Sequence, residues 1–566
     1  MNAAFIAPEI AWSQLTPIIL VLGAAVIGVL VEAFAPRQHR RQAQLALSLL
    51  ATAGALIAAA VLWVDVRATG GTVVLGGAVI VDGPTVVMQG TIAVFALLSF
   101  LVVADRTRSG EDAFAPQASA IPGSDYEEVA LRKGLQQTEV YPLMLFATGG
   151  MLIFPATGDL LTLFVALEVL SLPLYLLTGL ARRRRLLSQE ASMKYFLLGS
   201  FASALLLFGI ALLYGFSGSL RYADIAAATQ TVTGLDGLLI VGAVLVLVGL
   251  LFKVGAVPFQ QWTPDVYQGA PTPITGFMAA GTKIAAFGAL LRVFYVVLPG
   301  LEWDLEAGMW AVAILTMVVG TIAALVQTDM KRVLAYSSIA HAGFVLTGVI
   351  ALNSEGIAGV MFYLIAYGAA TVGAFGIVSL VRERSVAPVA VAVAAGEGAT
   401  AEGSTVEGSA VEGSDASADG GVVIGEATHL SQWAGLGRTH PWTALTFTLF
   451  LLSFAGIPLT AGFIGKFTVF SAAVAAGAWP LALIGVLASA AAVFFYVRVI
   501  VLMFFTAPAG SEEDGDGAPV TSTTTVVSAQ GLTAVAVAAC ALITIALGVL
   551  PSSVLDLVAE AAKFIP

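Results

Sequence analysis

The sequence predicts an all-α membrane protein that crosses the bilayer about 14 times, and three observations carry this prediction. The chain has 566 residues, of which 58% are hydrophobic and only 11% are charged. Its mean hydropathy is +0.95. Soluble domains contain about 25% charged residues, whereas a single apolar span needs about 20 residues. Apolar stretches of that length take up most of the chain, which excludes a soluble enzyme with a large globular domain.

The predicted spans follow one another with short polar connections. They cover residues 11–34, 43–64, 86–104, 140–157, 160–180, 191–214, 237–257, 271–298, 307–327, 333–351, 357–381, 441–475, 480–506 and 528–550. Three polar stretches, 105–139, 385–430 and 507–527, interrupt the series. The second is rich in glycine, alanine, serine and glutamate, a composition typical of a disordered loop. We predict that all three lie in the cytoplasm.

Basic residues lie mostly after the odd-numbered spans. They are Arg37, Arg40 and Arg41; Arg106, Arg108, Arg132 and Lys133; Arg182 to Arg185; Lys331 and Arg332; and Arg382 and Arg384. Cytoplasmic loops carry an excess of lysine and arginine. The pattern therefore places the odd loops in the cytoplasm and both termini on the outer face. The N-terminus has no basic region of the kind that begins a signal peptide.

The middle of the chain contains a weak internal repeat. Spans five and six resemble spans ten and eleven at an offset of about 170 residues. We therefore divide the chain into a three-helix segment (1–104), a first five-helix repeat (140–298), a second (307–506) and a last span in 528–566. A repeat with an odd number of spans must be inverted in the membrane, as in many transporters. The repeat pairs Lys253 with Lys466, and glycine and proline beside both lysines predict that spans seven and twelve are broken helices.

Five ionisable residues lie inside predicted spans, where a charge costs at least about 2.5–3.5 kcal/mol and is a functional hypothesis by default. They are Glu168, Lys253, Lys283, His341 and Lys466. Lysines with one glutamate and one histidine are poorly suited to an organic substrate, and they are well suited to passing protons. Lys194 lies nearer the end of its span and is a weaker candidate.

Each of these residues also has a structural interpretation. Glu168 and Lys253 could form an ion pair that only holds two helices together. Lys194 could extend to the membrane surface, and His341 could be a packed core residue. The sequence leaves these alternatives open.

Redox cofactors have few candidate ligands in this sequence. Cys540 is the single cysteine, and only His341 of four histidines lies within a span. Iron–sulfur clusters need several cysteines, and a bound haem of the cytochrome b kind needs paired histidines. We therefore expect no cofactor and no metal in this chain.

Two segments are long enough to be specific for a family. FKVGAVPFQQWTPDVYQGAPTPITGFMAAGTKIAAFGALLRVF (252–294) and QTDMKRVLAYSSIAHAGF (327–344) closely resemble the antiporter-like membrane subunits of respiratory complex I, the proton-pumping NADH:quinone oxidoreductase. The likeness covers spans four to thirteen well, the first three spans less well, and the polar insertions not at all. The family also includes subunits of cation/proton antiporters.

The resemblance implies a proton-translocating subunit in a bacterial cytoplasmic membrane. It implies that Glu168 and Lys253 are a coupled pair, that Lys283 is the central relay lysine and that Lys466 lies on the exit side. FMN, iron–sulfur clusters and quinone are then expected in partner subunits, and neighbouring membrane subunits are the expected partners. The family often has histidine where this chain has Gln260, which cannot relay a proton by titrating.

Two other functions remain open at this point. A subunit of a multisubunit Na⁺/H⁺ antiporter would be driven by ion gradients alone, although sodium sites usually need carboxylate and carbonyl oxygens. A structural scaffold would use the buried charges only to hold helices together.

Overall fold

The computed structural model describes residues 10–107, 112–116, 126, 129, 137–298, 300–385, 422–507, 522–527 and 531–565. Within these ranges the chain is a bundle of helices with two small sheets at its ends.

The N-terminal segment contains three long helices and a hairpin. These are α1 (Thr16–Phe34), α2 (Arg37–Thr69), β1 (Thr72–Val74), β2 (Val79–Val81) and α3 (Gly83–Ala104). The two strands pair antiparallel. Asp82 begins α3 by accepting a hydrogen bond from the Thr85 backbone N–H, which satisfies one of the free donors of the first turn.

The next segment contains seven helices. These are α4 (Val140–Ile153), α5 (Leu160–Thr178), α6 (Arg185–Ser217), α7 (Tyr222–Thr231), α8 (Asp236–Val254), α9 (Trp262–Gly269) and α10 (Thr272–Arg292). The short helix α9 lies between α8 and α10, where the sequence has Gly255 and Pro258.

The remaining elements include nine helices and three strands. These are α11 (Glu302–Leu325), α12 (Met330–Ile350), α13 (Ser354–Leu380), β3 (Val381–Ser385), β4 (Val422–Glu426), α14 (Leu436–Thr439), α15 (Pro441–Ala455), α16 (Ala461–Ala475), α17 (Trp479–Phe505), β5 (Ser522–Val526), α18 (Leu532–Val549) and α19 (Ser552–Ala561).

The predicted class, an all-helical multi-pass membrane protein, is confirmed. In the described part of the chain, 12 helices are long and apolar enough to cross a membrane. Three shorter apolar helices, α4, α15 and α16, accompany them. Because α15 and α16 together occupy the twelfth predicted span, these 15 helices correspond to the 14 predicted spans.

Helices α10, α12 and α13 form the centre of the bundle. Between 94% and 100% of the residues in their apolar windows are buried inside the protein, against 33% for α1, α2 and α17. The outer helices keep an apolar face for lipid or for partner chains, whereas the central three are enclosed by protein. A polar group on a central helix must therefore find its partners within this chain.

The polar insertions are more ordered at their edges than the sequence predicted. Strand β3 pairs antiparallel with both β4 and β5, although β4 lies within the stretch 385–430 and β5 within 507–527. The prediction of a disordered loop is thus wrong for the last residues of 385–430, because backbone pairing satisfies their hydrogen-bonding groups. Residues 386–421 and 508–521 lie outside the described residues.

Candidate functional site

Four of the six candidate residues are almost completely buried. The exposed fractions are 2% for Lys253, 3% for Lys283, 3% for His341 and 5% for Lys466. They lie on α8, α10, α12 and α16, so two of them are carried by the central helices. These ionisable side chains are therefore not residues of the protein surface, and their presence needs another reason.

Lys253 lies in the last turn of α8. Gly255 ends that helix in the left-handed conformation, with φ of +76°, which glycine adopts at little cost. The Lys253 Nζ donates to Ser171 Oγ on α5 at 2.8 Å and to Tyr195 OH on α6 at 3.1 Å. The lysine therefore joins three helices through neutral oxygen atoms.

Glu168 does not form the direct ion pair with Lys253 that the sequence suggested. Among the described residues, the ion pairs within 4.0 Å do not include Glu168. Its Oε1 is buried and has no hydrogen-bond partner in the described part of the protein. The physical reason is competition, since Ser171, one turn along the same helix, takes the position next to the ammonium group.

Lys283 lies in the middle of α10. Its Nζ donates to the backbone carbonyl of Ser338 on α12. The ammonium group also lies over the ring of Tyr367 on α13, 5.6 Å from the ring centroid, a position that the negative face of the ring stabilises. Lys283 thus links the three central helices.

His341 lies on α12, one turn beyond Ser338. Its Nδ1 is 2.6 Å from Tyr363 OH and its Nε2 is 3.2 Å from Tyr496 OH. Phe344, Tyr367 and Phe454 pack around the ring. Both nitrogens are therefore hydrogen-bonded in an otherwise aromatic enclosure.

Lys466 interacts with the end of the preceding helix. Its Nζ donates to the backbone carbonyls of Phe454 and Ala455, both at 2.9 Å, and to Ser489 Oγ on α17 at 2.7 Å. The carbonyl end of a helix carries a partial negative charge, so α15 supplies the counter-charge. Gly456 ends α15 with φ of +80°.

The helix interruptions leave few backbone groups unsatisfied. Beyond α8, the Val257 N–H donates to Thr316 Oγ1 at 2.9 Å, and Trp262 Nε1 donates to the Phe252 carbonyl at 2.9 Å. Beyond α15, the Gly462 N–H donates to Ser453 Oγ at 3.1 Å. Irregular backbone at membrane depth is tolerated where protein supplies such partners.

The local geometry contradicts the pairing of Lys253 with Lys466 as equivalent residues. Lys253 precedes its left-handed glycine by two residues, whereas Lys466 follows Gly456 by ten. The two lysines thus approach their interruptions from opposite sides. The inverted repeat itself stays a prediction.

Lys194 lies apart from the other candidates. Its side chain is 43% exposed and forms ion pairs with Glu190 at 2.6 Å and Asp265 at 2.7 Å. Asp265 also pairs with Arg332. This network lies on the outside of α6, so the structure does not bring Lys194 together with the four buried residues.

Gln260 lies between α8 and α9, at the position where the family often has histidine. Its Oε1 is buried and has no hydrogen-bond partner among the described residues. An amide oxygen in this position can accept a hydrogen bond from water, but it cannot exchange a proton with it.

Sequence reasoning missed the hydroxyl groups that surround the buried lysines and the histidine. They belong to Ser171, Tyr195, Tyr363, Ser489 and Tyr496. A signal was present, because each is a hydroxyl-bearing residue within an apolar span. Single hydroxyls are common in such spans, however, and only contact with a buried lysine or histidine distinguishes these five.

The arrangement is suited to handling protons. In each hydrogen bond of the three buried candidate lysines, the acceptor is a neutral hydroxyl or carbonyl oxygen. Such an acceptor can hold an ammonium group and stays in place when the proton leaves. Hydroxyl groups both donate and accept, so they can pass a proton to the next group.

The chain matches a family of membrane transport proteins. The family model described as NADH:quinone oxidoreductase/Mrp antiporter, TM, matches residues 157–392 and 420–492. This match includes all six candidate residues.

Curated and solved relatives extend the match to the whole chain. NADH-quinone oxidoreductase subunit N of Beutenbergia cavernae is 62% identical, with 99% of each chain covered. A chain of respiratory complex I from Thermus thermophilus is 31% identical, with a TM-score of 0.70 over 96% of this chain and 100% of that one. A chain of the Mrp complex from Dietzia has a TM-score of 0.73 at 21% identity, covers 96% of this chain and 97% of that one, and shares the fold.

The chain is therefore an antiporter-like, multi-pass protein of a bacterial membrane. Within that class, the chain belongs to the subunit N family of NADH-quinone oxidoreductase. The resemblance of residues 252–294 and 327–344 to the antiporter-like membrane subunits of complex I is therefore confirmed.

Proposed function

We propose that this chain translocates protons across the membrane as part of a respiratory complex I. The observation that carries the proposal is the set of four buried groups, Lys253, Lys283, His341 and Lys466, each bonded to neutral or helix-terminal oxygen atoms. Burial of so many basic groups is costly, and proton transfer gives a functional reason for it.

Each residue of the relay has a specific task in this proposal. Lys253 takes or releases a proton according to its interaction with Glu168, whose Oε1 has no hydrogen-bond partner in the described part of the protein. Lys283 and His341 carry the proton through the centre, and Lys466 delivers it on the far side. Lys194 has no task here, because its side chain is partly exposed and pairs with the carboxylates of Glu190 and Asp265.

The energy for this transport has to come from outside the chain. Moving one charge against 100 mV costs about 2.3 kcal/mol. We infer that FMN and iron–sulfur clusters transfer electrons in partner subunits and that quinone binds there. Neighbouring membrane subunits then transmit the driving force to the lysines by conformational or electrostatic coupling.

We further propose that the arginine-rich loops face the cytoplasm and that both termini lie outside. Cys540 is the single cysteine and is buried, so an introduced cysteine can be labelled selectively. A membrane-impermeant maleimide should label Lys563→Cys from the outer face of spheroplasts. Labelling only after the membrane is opened would show that the C-terminus lies on the cytoplasmic side and would contradict the proposed orientation.

Transport of sodium ions is the second candidate, and the family model shared with Mrp antiporters favours it. A cation site needs several oxygen ligands and little competing positive charge. Three buried lysines therefore argue for protons. A Na⁺-selective ionophore that collapses the gradient built by the complex would support sodium transport instead.

The test is proton pumping by the intact complex in vesicles. Lys283→Met should lower the number of protons moved per NADH, while NADH oxidation by an artificial acceptor continues in the partner subunits. Lys563→Met is the matched control, because that lysine is exposed near the C-terminus and should pump normally. Unchanged pumping by the Lys283 variant would contradict the relay, and loss of the assembled complex would support a scaffold role.

A further inference from the structure

Four side chains from three helices form a continuous hydrogen-bonded chain in the protein interior. Ser337 Oγ is 2.5 Å from Tyr496 OH, which is 3.2 Å from His341 Nε2. The other ring nitrogen, Nδ1, is 2.6 Å from Tyr363 OH. The exposed fractions of all four residues lie between 1% and 3%, so bulk water does not compete for these bonds.

Both relay lysines contact aromatic rings that enclose the imidazole of this chain, Lys283 that of Tyr367 and Lys466 that of Phe344. Ser337 is next in sequence to Ser338, whose carbonyl accepts from Lys283. At the other end, Tyr363 packs against Gly465, where an added methyl group would lie 3.2 Å from the Tyr363 Cα atom. Lys466 follows Gly465 directly. The four residues thus connect the surroundings of Lys283 with those of Lys466.

From this geometry we propose that Ser337, Tyr496, His341 and Tyr363 carry the proton between Lys283 and Lys466. This inference rests on the proposed function and adds three hydroxyl residues to its relay. Tyr496 is central to it, because its oxygen atom faces both Ser337 and the imidazole.

The direction of the bonds gives the chain two states. A neutral imidazole has one N–H donor and one acceptor nitrogen, so one tyrosine donates to the ring and the other accepts from it. In the first state Ser337 donates to Tyr496, Tyr496 donates to Nε2, and Nδ1 donates to Tyr363. In the second state all three bonds are reversed.

Passage of one proton converts the first state into the second. A proton released by Lys283 binds the Ser337 oxygen, and each group then gives its own proton to the next. Tyr363 releases one proton to the Lys466 amine or to a water beside it, so one proton enters and one leaves. The first state returns only when the hydroxyls rotate and the imidazole proton moves from Nε2 to Nδ1.

This return step is restricted by packing. Phe344, Tyr367 and Phe454 enclose the imidazole, with ring centroids 5.3–5.7 Å away. The ring cannot turn without movement of these neighbours. Until such a movement occurs, the chain holds the second state and does not accept another proton from Ser337. It therefore passes one proton at a time in this direction, and helix movement resets it.

Substitutions at Ser337 separate this role from simple packing. Ser337→Thr keeps the hydroxyl and adds a methyl group, whereas Ser337→Ala keeps the space and removes the hydroxyl. If the residue only packs, threonine should be the more harmful change. If its oxygen carries the proton, Ser337→Ala should lower pumping and Ser337→Thr should retain most of it.

The experiment measures protons moved per NADH by the intact complex in vesicles for both Ser337 variants and for Tyr496→Phe. Loss of a proton-transfer group slows its step by about 100-fold or more, so flux through this chain should fall by that factor in Ser337→Ala and Tyr496→Phe. Tyr222→Phe is the control, since that buried hydroxyl bonds to Thr157 away from the relay. It should pump normally.

The outcomes distinguish this inference from the proposed function. Normal pumping by Tyr496→Phe or Ser337→Ala, with Lys283→Met inactive, would overturn the hydroxyl chain and leave the lysine relay intact. Normal pumping by Lys283→Met would overturn both. If Ser337→Ala fails to assemble, Tyr496→Phe and Tyr363→Phe, which keep the ring and lose only the hydroxyl, decide the question.

Discussion

Replacement of Asp82 should loosen one end of the bundle and release the C-terminal tail. Asp82 Oδ1 accepts from Arg292 Nη2 at 2.6 Å, and both side chains are 0% exposed. Its Oδ2 accepts from the Ile565 backbone N–H at 3.1 Å. One carboxylate therefore holds the end of α10, the start of α3 and the last described residues together.

The expected loss of stability follows from these contacts. Removing one partner of a buried ion pair costs about 3–5 kcal/mol, because the other charge stays buried. Loss of the cap on α3 adds about 1 kcal/mol in Asp82→Ala, whereas Asp82→Asn keeps an oxygen atom for the Thr85 N–H. We expect Asp82→Ala to be the less stable of the two.

The tail provides a local measurement of the same effect. A hydrogen bond to a charged group contributes about 1.5–3 kcal/mol. The Ile565 amide in Asp82→Asn should therefore exchange its hydrogen about 10–100 times faster in the detergent-solubilised complex. Glu560→Gln is the control, since its ion pair with Arg67 is largely exposed and its loss should cost less than about 1 kcal/mol.

Two results would refute this reasoning about Asp82. One is unchanged exchange at Ile565 together with an unchanged melting temperature of the complex. The other concerns the double variant Asp82→Asn with Arg292→Met. Removal of the unpaired guanidinium should recover part of the lost stability, so a double variant less stable than Asp82→Asn alone would contradict the prediction.

Three further predictions concern other parts of the chain. Burial alone would raise the pKa of Glu426, but the charges of Lys331 and Arg382 outweigh it and hold that pKa below its ordinary value. The stability that Glu426 contributes is therefore present above the ordinary pKa and is lost as the pH falls through the lower pKa of the folded state. Glu426→Gln should abolish this acid-dependent loss of amide protection in β4. Gly462→Ala should prevent normal assembly, as measured by the yield of purified complex, since its Cβ would lie 1.8 Å from the Ser453 carbonyl oxygen. Lys194→Ala should pump normally in vesicles and lower stability by less than about 1 kcal/mol, because its ion pairs are exposed; a pumping defect would return this lysine to the relay.

Local properties of the sequence were enough to predict the class of protein and most of its helices. Hydropathy is a local property, so a stretch of about 20 apolar residues identifies a span whatever surrounds it. Charge within a span is equally local, and it singled out Lys253, Lys283, His341 and Lys466 before any contact was known. Lys194 was the exception, because distance from the end of a span does not reveal which side of the helix faces outward.

The contacts of these residues, in contrast, depend on how distant helices pack together. The partners of Lys253 lie 58 and 82 residues away in sequence, and Tyr496 lies 155 residues from His341. Apolar helices carry little information about which neighbour they pack against, since lipid and a second helix satisfy them almost equally. Packing therefore placed Ser171 next to Lys253, set Lys466 at the end of α15, and aligned Ser337, Tyr496, His341 and Tyr363 into one hydrogen-bonded chain.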